Sequence, residues 1–254
     1  MPTTINPAWL KAQAQQKNFS GWDFSAIEAE YTQEANPWNY QEIVRKFLQP
    51  DCQLLDMGTG GGELLKSFNH PLKNTAVTEG WPKNYRLLLE NLTPQGVAVE
   101  FVKEDDKLNF PDQHFDLVIN SHESFDLKEV KRVLKPGGIF ISQQVGDLNG
   151  LTLTSRLIPN FQKKQFDWHL ATIKEQLKGE NFQLLFADEA YPWQKFYTLE
   201  ALIYYALTIS WEFPNFSVEN NLQELLYLEE ELNQKGFIAN LEHRFIFVAV
   251  KPKE

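Results

Sequence analysis

One stretch constrains this chain more than any other: Leu54-Leu55-Asp56-Met57-Gly58-Thr59-Gly60-Gly61-Gly62-Glu63. It follows a short apolar run and leads into a helical pattern. Glycines there let the backbone turn sharply and come close to a ligand. A helix opening at that point offers N–H groups to an anionic group. The dinucleotide pattern G-x-G-x-x-G fails, because Glu63 stands where its last glycine belongs. No Gly-Lys-Ser/Thr is present, which excludes a phosphate-cradling P-loop. The spacing that fits is acidic-x-Gly-x-Gly-x-Gly, formed by Asp56, Gly58, Gly60 and Gly62.

Around this loop, strand patterns alternate with helical ones. Strands are expected at 53–57, 74–79, 97–102, 115–120, 138–144, 182–187 and 244–250. Helices are expected at 61–69, 82–91, 126–134, 165–178, 199–209 and 218–234, and residues 7–49 read as helical with a break near Asn36-Pro37. Strands that alternate with helices imply right-handed crossovers and a doubly wound, mostly parallel sheet. The expected division is an N-terminal helical cap segment at 1–49, a core at 50–187 plus 243–254, and a helical substrate-cap insertion at 188–242.

Composition narrows the chemistry. Hydrophobic residues make up 43% and charged residues 23%, values of a folded globule rather than a disordered chain. The net charge of −10 argues against a broad nucleic-acid surface and is compatible with a cationic ligand. A single cysteine, Cys52, excludes a disulfide framework and a thiolate zinc cluster. It also points to a reducing compartment, so a cytoplasmic location is expected. No metal-ligand spacing links the five histidines, and no metal is expected. No leader pattern opens the chain, and its longest apolar run is too short for a bilayer, so no membrane partner is expected. Only Trp81 of the seven tryptophans lies within 50–145. The middle reads as a scaffold and the flanks as something specialised.

The acidic glycine loop resembles motif I of the class I S-adenosylmethionine-dependent methyltransferases. Further segments agree in order: Glu79 at the end of the second strand, Glu104-Asp105-Asp106 after the third, Leu108-Asn109-Phe110-Pro111-Asp112 before Phe115-Asp116-Leu117-Val118, and Arg132-Val133-Leu134-Lys135-Pro136-Gly137-Gly138. The flanks resemble those of a bacterial branch of this family, through Trp22–Ser25, Trp38–Tyr40, Val77–Gly80, His122–Asp126, Gln143–Gly146, Trp211–Ser217 and His243–Phe245. That branch brings no substrate with it. The resemblance implies a Rossmann-like methyltransferase fold with seven strands, the last antiparallel to the rest. It also implies the cofactor S-adenosylmethionine and its product S-adenosylhomocysteine.

The resemblance places the cofactor on Asp56, Gly58, Thr59, Gly60, Gly62, Glu79, Gly80, Trp81, Glu104, Asp105 and Asn120. Glu79 is expected to accept two ribose hydroxyls, and one of Glu104 and Asp105 to meet the adenine amino group. Asn120-Ser121-His122-Glu123 ends the fourth strand, where the reacting methyl group belongs. His122 has the titration range of a general base and Glu123 is a second candidate. The Asn/Asp-Pro-Pro-aromatic motif of amino-group methylation is missing there, which argues against adenine N-methylation. Trp38, Tyr40, Trp211, His243 and Arg244 are candidates for the substrate side. The bland readings are a capping role for His243 and Arg244 and a hydrophobic core for the flanking aromatics. Lys128, Lys131, Arg132 and Lys135 share a helical face that reads as solvated rather than as a docking stripe. The expected reaction is in-line methyl transfer to a small, partly apolar acceptor. The alternatives are an RNA base methyltransferase and a non-catalytic cofactor-binding protein. The oligomeric state is not legible.

Overall fold

Every residue of the strand Leu54–Met57 is buried, as a strand covered on both faces requires. The computed structural model describes residues 5–19, 24–104 and 107–253. In chain order the elements are α1 (Pro7–Gln16), β1 (Tyr31–Gln33), α2 (Tyr40–Phe47), β2 (Leu54–Met57), α3 (Glu63–Lys66), β3 (Thr75–Glu79), α4 (Pro82–Asn91), β4 (Ala98–Phe101), β5 (Phe115–Ser121) and α5 (Leu127–Val133). They continue with β6 (Leu134–Val145), α6 (Leu151–Leu157), α7 (Leu170–Gly179), β7 (Gln183–Ala190), β8 (Trp193–Phe196), α8 (Leu199–Thr208), α9 (Leu222–Lys235), β9 (Ile238–Leu241) and β10 (Arg244–Val250).

Seven strands form one sheet in the order β4-β3-β2-β5-β6-β10-β7. From β4 to β6 each neighbour is parallel, and β10 runs antiparallel to β6, with Val248 opposite Ile141. Alternation along the strands separates two apolar clusters. Leu55, Val118, Phe140 and Phe247 pack with Val130 of α5 and Ile173 of α7. Leu54, Leu117, Ile141 and Val248 pack with Val44 of α2 and Leu88 of α4. Each fully buried side chain of this size contributes about 1.5–3 kcal/mol, so the two clusters fix the strand register.

The family-like segments outside the glycine loop do structural work. Arg132 of α5 donates to Glu129 at 2.6 and 2.8 Å, to Asp112 at 2.6 Å, and to the carbonyls of Leu108 and Phe110 at 2.8 Å each. One guanidinium thereby ties the 108–112 loop to the helix that follows β5, and these carboxylates hold its pKa above the ordinary arginine value. Lys135 pairs with Asp116 at 2.7 Å and Lys131 with Glu180 at 3.7 Å. Gly138 is required because a Cβ there would stand 2.8 Å from the Lys135 carbonyl.

The chain divides into two compact units. One holds Pro37–Gly146, Asp167–Glu189 and Arg244–Glu254, and contains the large sheet. The other holds Met1–Asn36, Asp147–Phe166 and Ala190–His243. These borders differ from those expected at 49/50, 187/188 and 242/243. Helix α2 belongs with the sheet because Tyr40 and Val44 pack among Leu54, Val77 and Ile119. Helix α6, unforeseen in the sequence, belongs to the second unit, where Leu153 and Leu157 join Trp9, Leu202 and Phe213.

The second unit is not purely helical as expected. Strands β1, β8 and β9 form an antiparallel sheet, with Phe196 opposite both Tyr31 and Ile238. Phe196 also meets Tyr205 of α8 at 5.1 Å between ring centroids. Helix α8 is buried on nearly all sides and starts at Thr198, whose hydroxyl accepts the Ala201 N–H at 3.2 Å. Among the described residues no helix is long and apolar enough to cross a membrane.

Candidate functional site

The polar residues of the large sheet collect at the carboxyl ends of β2, β3, β5 and β6. Gly58, Gly60 and Gly62 follow β2 with φ of +65°, +62° and +81°. These left-handed conformations fold the loop back on β3. Gly58 donates to the Thr78 hydroxyl at 3.2 Å, Thr59 to the Thr78 carbonyl at 3.1 Å, and Gly60 to Glu79 Oε2 at 2.9 Å. Gly62 donates to the Thr59 carbonyl at 3.0 Å. The N–H groups of all four residues are thus engaged within the protein. The helix behind them, α3, has four residues rather than the nine expected at 61–69. Three of the four loop amides serve β3 and the fourth stays within the loop.

Glu79, 5% exposed, accepts on both carboxylate oxygens: Gly60 N–H on one and Trp81 N–H at 2.8 Å on the other. Each oxygen keeps a further lone pair, so the carboxylate is oriented and still able to receive two hydroxyls. Gly80 lies where a Cβ would come within 3.1 Å of the Val102 carbonyl, and Trp81 leaves much of its ring in solvent. Glu104 is exposed on the loop after β4, and Asp105 and Asp106 lie outside the described residues, as do Trp22 and Asp23.

Asp56 ends its strand almost wholly buried and accepts the Thr59 hydroxyl at 2.6 Å. Burial pushes its pKa up to about 7; the Thr59 hydrogen bond opposes that rise and the Glu79 charge adds to it. Tyr40 of α2 donates to the Asn120 carbonyl at 3.1 Å, and burial together with Asp56 raises its pKa well above the ordinary phenol value.

Asn120 is the hub on the other side of β2. Its Oδ1 accepts from Gln144 Nε2 at 2.7 Å, the Glu123 N–H at 3.3 Å and the Ser142 hydroxyl at 3.4 Å. Its Nδ2 is buried with no hydrogen-bond partner among the described residues. A buried donor left unpaired costs roughly 1–3 kcal/mol, the mark of a position that a ligand or water completes. His122 turns the chain in the left-handed region, φ +70°, and its N–H reaches the Gln143 carbonyl at 2.9 Å. Desolvation of the ring and the Arg244 guanidinium both lower the His122 pKa, to about 4. The residue as a whole is exposed. Trp38 donates to Gln143 Oε1 at 3.3 Å.

The structure therefore brings Asp56, Glu79, Asn120, His122, Glu123, Tyr40 and Trp38 to one edge of one unit. His243 and Trp211 belong to the other unit. His243 is fully buried: Nδ1 accepts the Leu148 N–H at 3.1 Å and its ring stacks on Tyr191 at 4.8 Å. That geometry gives it a structural part. Trp211 is 65% exposed. Sequence reasoning missed Thr78, Ser142 and Gln144. The polar run Ser142-Gln143-Gln144 at the end of a buried strand was the available signal.

The residues fit an adenosyl cofactor. Gly60 has nothing within 4 Å of where a Cβ would stand, so its open side is free for a ligand, and Glu79 is fixed beside it. Among the described residues no group of three His, Cys, Asp or Glu is placed to hold a metal ion.

Residues 55–142 match the family described as "Methyltransferase domain". The chain is 35% identical over 114 residues to the ubiquinone/menaquinone biosynthesis C-methyltransferase UbiE of Pseudomonas fluorescens, a match that covers 40% of this chain and 44% of that protein. The Bordetella avium UbiE is 32% identical over 112 residues, with the same coverage. The chain thus spans less than half the length of these relatives. Among solved structures, a candidate methyltransferase from Bacillus halodurans C-125 superposes with a TM-score of 0.58 at 14% identity, covering 84% of this chain and 99% of that one. The [4+2]-cyclase SpnF gives 0.54 at 14% identity, covering 97% and 93%. At such identities the likeness shows the fold alone. The motif spacing, the sheet order and the matched residues agree: residues 55–142 are similar to a methyltransferase domain, and the seven-stranded sheet has the matching Rossmann-like methyltransferase fold.

Proposed function

We propose that the chain transfers a methyl group from S-adenosylmethionine to a small, partly apolar acceptor by in-line displacement. The observation that carries this reading is the meeting of Asp56, Glu79, the open side of Gly60 and the unpaired Asn120 Nδ2 at the carboxyl edge of β2, β3 and β5. When bound, S-adenosylmethionine supplies a methyl group on a sulfonium that departs as neutral S-adenosylhomocysteine.

The chain's own residues then hold and align. Glu79 would receive the ribose hydroxyls, Gly60 and Gly62 would leave the loop open to the adenosyl group, and Glu104 is the described candidate to meet the adenine amino group. Thr59 fixes the Asp56 carboxyl. Alignment and water exclusion are the principal contributions such a site makes. His122 is the residue placed to accept a proton where the acceptor arrives protonated, and a pKa held near 4 makes it a weak base for that step. Trp38, Tyr40 and Arg244 are the sheet unit's contributions to the acceptor side. A small-molecule acceptor is favoured by the similarity to quinone-pathway C-methyltransferases and by the acidic charge, which disfavours nucleic acid.

Calorimetry with S-adenosylmethionine and S-adenosylhomocysteine tests the cofactor. Binding by the wild type and a loss of about a hundredfold in Glu79→Ala is expected, since two charge-assisted hydrogen bonds are removed. Equal binding by that variant sinks the assignment. Labelled methyl donor incubated with cell extract tests the acceptor. Label in RNA rather than in small molecules replaces the acceptor class, and tight cofactor binding without any transfer replaces catalysis with a binding role.

A further inference from the structure

We infer that Gln144 is a positioning residue: it fixes which end of the Asn120 carboxamide is left for a ligand, so that the site offers a donor there and takes a hydrogen-bond-accepting oxygen. The inference rests on the proposed function above, whose site contains Asn120.

Asn120 of β5 lies opposite Ser142 of β6, and Gln144 stands two residues further along β6, on the same face. All three are buried. Two backbone groups settle the sense of the two carboxamides. The Glu123 N–H can only donate, so the Asn120 atom that faces it at 3.3 Å is Oδ1. The Glu123 carbonyl can only accept, so the Gln144 atom 2.9 Å from it is Nε2. That nitrogen also reaches Asn120 Oδ1 at 2.7 Å, closer than the Glu123 N–H or the Ser142 hydroxyl, and the Ser142 hydroxyl itself at 2.8 Å.

Turning the Asn120 carboxamide over would set Nδ2 against the donors Gln144 Nε2 and Glu123 N–H. Nδ2 therefore stays on the other side, where it is buried with no partner among the described residues. A donor in that state is completed by an acceptor, so a ligand that meets it presents an oxygen rather than an ammonium or a further N–H. The same cluster continues into the residues placed on the acceptor side. Tyr40 donates to the Asn120 carbonyl, and Gln143 accepts from Trp38 and, through its carbonyl, from the His122 N–H.

Asn120→Asp keeps the bonds to Oδ1 and replaces the donor by a second acceptor. A carboxylate is also symmetric, so in this variant Gln144 has no sense left to fix. The wild type, Asn120→Asp, Gln144→Met and the double variant are titrated calorimetrically with S-adenosylhomocysteine. They are also assayed for transfer from labelled S-adenosylmethionine to cell extract, both measurements at pH 8 and pH 6. Each single variant should lose about tenfold in one readout. The loss falls on cofactor affinity if the oxygen is the cofactor's, and on transfer at unchanged affinity if it is the methyl acceptor's. The double variant should lose no more than Asn120→Asp, within about twofold. Relative to the wild type at the same pH, the Asn120→Asp loss should shrink at pH 6, where protonation returns an O–H donor. Losses that multiply to about a hundredfold in the double variant give Gln144 a merely structural role and overturn the inference. Full affinity and full transfer in Asn120→Asp overturn it too, since the donor then meets only water. A wild type that does not bind S-adenosylhomocysteine overturns the cofactor reading itself, which separates the two failures.

Discussion

Both units carry glycines in the left-handed region, and they use them differently. In the second unit Gly236 ends α9 and returns its N–H to the Leu232 carbonyl at 2.8 Å, a local task of helix termination. In the sheet unit, three such glycines occur within five residues, and their N–H groups tie the loop to β3 and to the loop itself. Buried polar side chains divide in the same way. In the second unit Asn149 donates to Glu212 at 2.7 Å and accepts the His243 N–H at 2.9 Å, while Asn240 donates to Gln194 at 3.0 Å, all of which stitch strands and turns together. In the sheet unit Asp56, Thr78, Glu79, Asn120, Ser142 and Gln144 gather at one edge, while His70 and Thr75 bind carbonyls before β2 and β3. The lesson is that residue type alone does not mark a site; the convergence of such residues on one edge does.

The largest test of this contrast is Gly58→Ala. The left-handed conformation costs a residue with a Cβ about 1–2 kcal/mol, and displacing Glu123 costs about as much again or more. We expect about 3 kcal/mol of lost stability in denaturant unfolding and no measurable cofactor binding. Gly60→Ala and Gly236→Ala sharpen the comparison. Each has a positive φ and nothing within 4 Å of a new Cβ, so each should lose about 1–2 kcal/mol of stability. Only Gly60→Ala should also lose cofactor affinity, by at least about tenfold, because its open side is where the ligand is proposed to lie. Equal affinities in the two variants would break the comparison.

A pH titration comes next in size, about tenfold in affinity. The Asp56 pKa is raised to about 7 in the folded chain. A carboxyl raised above its unfolded value contributes stability that is fully present below the unfolded pKa of about 4 and is lost as pH rises toward 7. The ligand-free wild type should therefore lose stability across that window relative to Asp56→Asn. A cationic cofactor favours the ionised form, so its affinity should rise about tenfold from pH 6 to pH 8 in the wild type. The Asp56-dependent part of that rise should vanish in Asp56→Asn. A rise of the same size in the variant assigns the titration to another group.

How much of this was legible in the sequence follows the same divide. Strands β2, β3 and β10 are short runs buried along nearly their whole length, so the patterns at 53–57, 74–79 and 244–250 locate them to within a residue. Asp56, Glu79 and the glycines were legible because spacing along one chain fixes them. Gln144, Ser142 and Thr78 were not, because their value lies in the pairing between strands: Ser142 is opposite Asn120 in β5. Strands β1, β8 and β9 were hidden for a related reason. Each has three or four residues, too few for a period-2 pattern to stand out, and their partners come from distant parts of the chain. The four-residue α3 fell short of the helix its pattern implied at both ends: Gly62 at its start and Asn69 beyond its end both stand in the left-handed region.

The smallest effect tests whether a buried hydroxyl at the site differs from one elsewhere. Tyr40→Phe removes the hydrogen bond to the Asn120 carbonyl and should cost about 1 kcal/mol of stability. Thr198→Ala removes the cap of α8 in the second unit and should cost about the same. The two variants are thus matched in stability, and unfolding curves check that they are. They differ in what the lost bond supports. Tyr40 braces the backbone of the residue whose Oδ1 orders Gln144 and Glu123, whereas Thr198 braces only the first turn of a helix. Cofactor affinity should therefore fall in Tyr40→Phe and hold in Thr198→Ala. Equal falls would mean that affinity follows overall stability. In that case the edge where Asp56, Glu79 and Asn120 meet would have no special standing over the rest of the core.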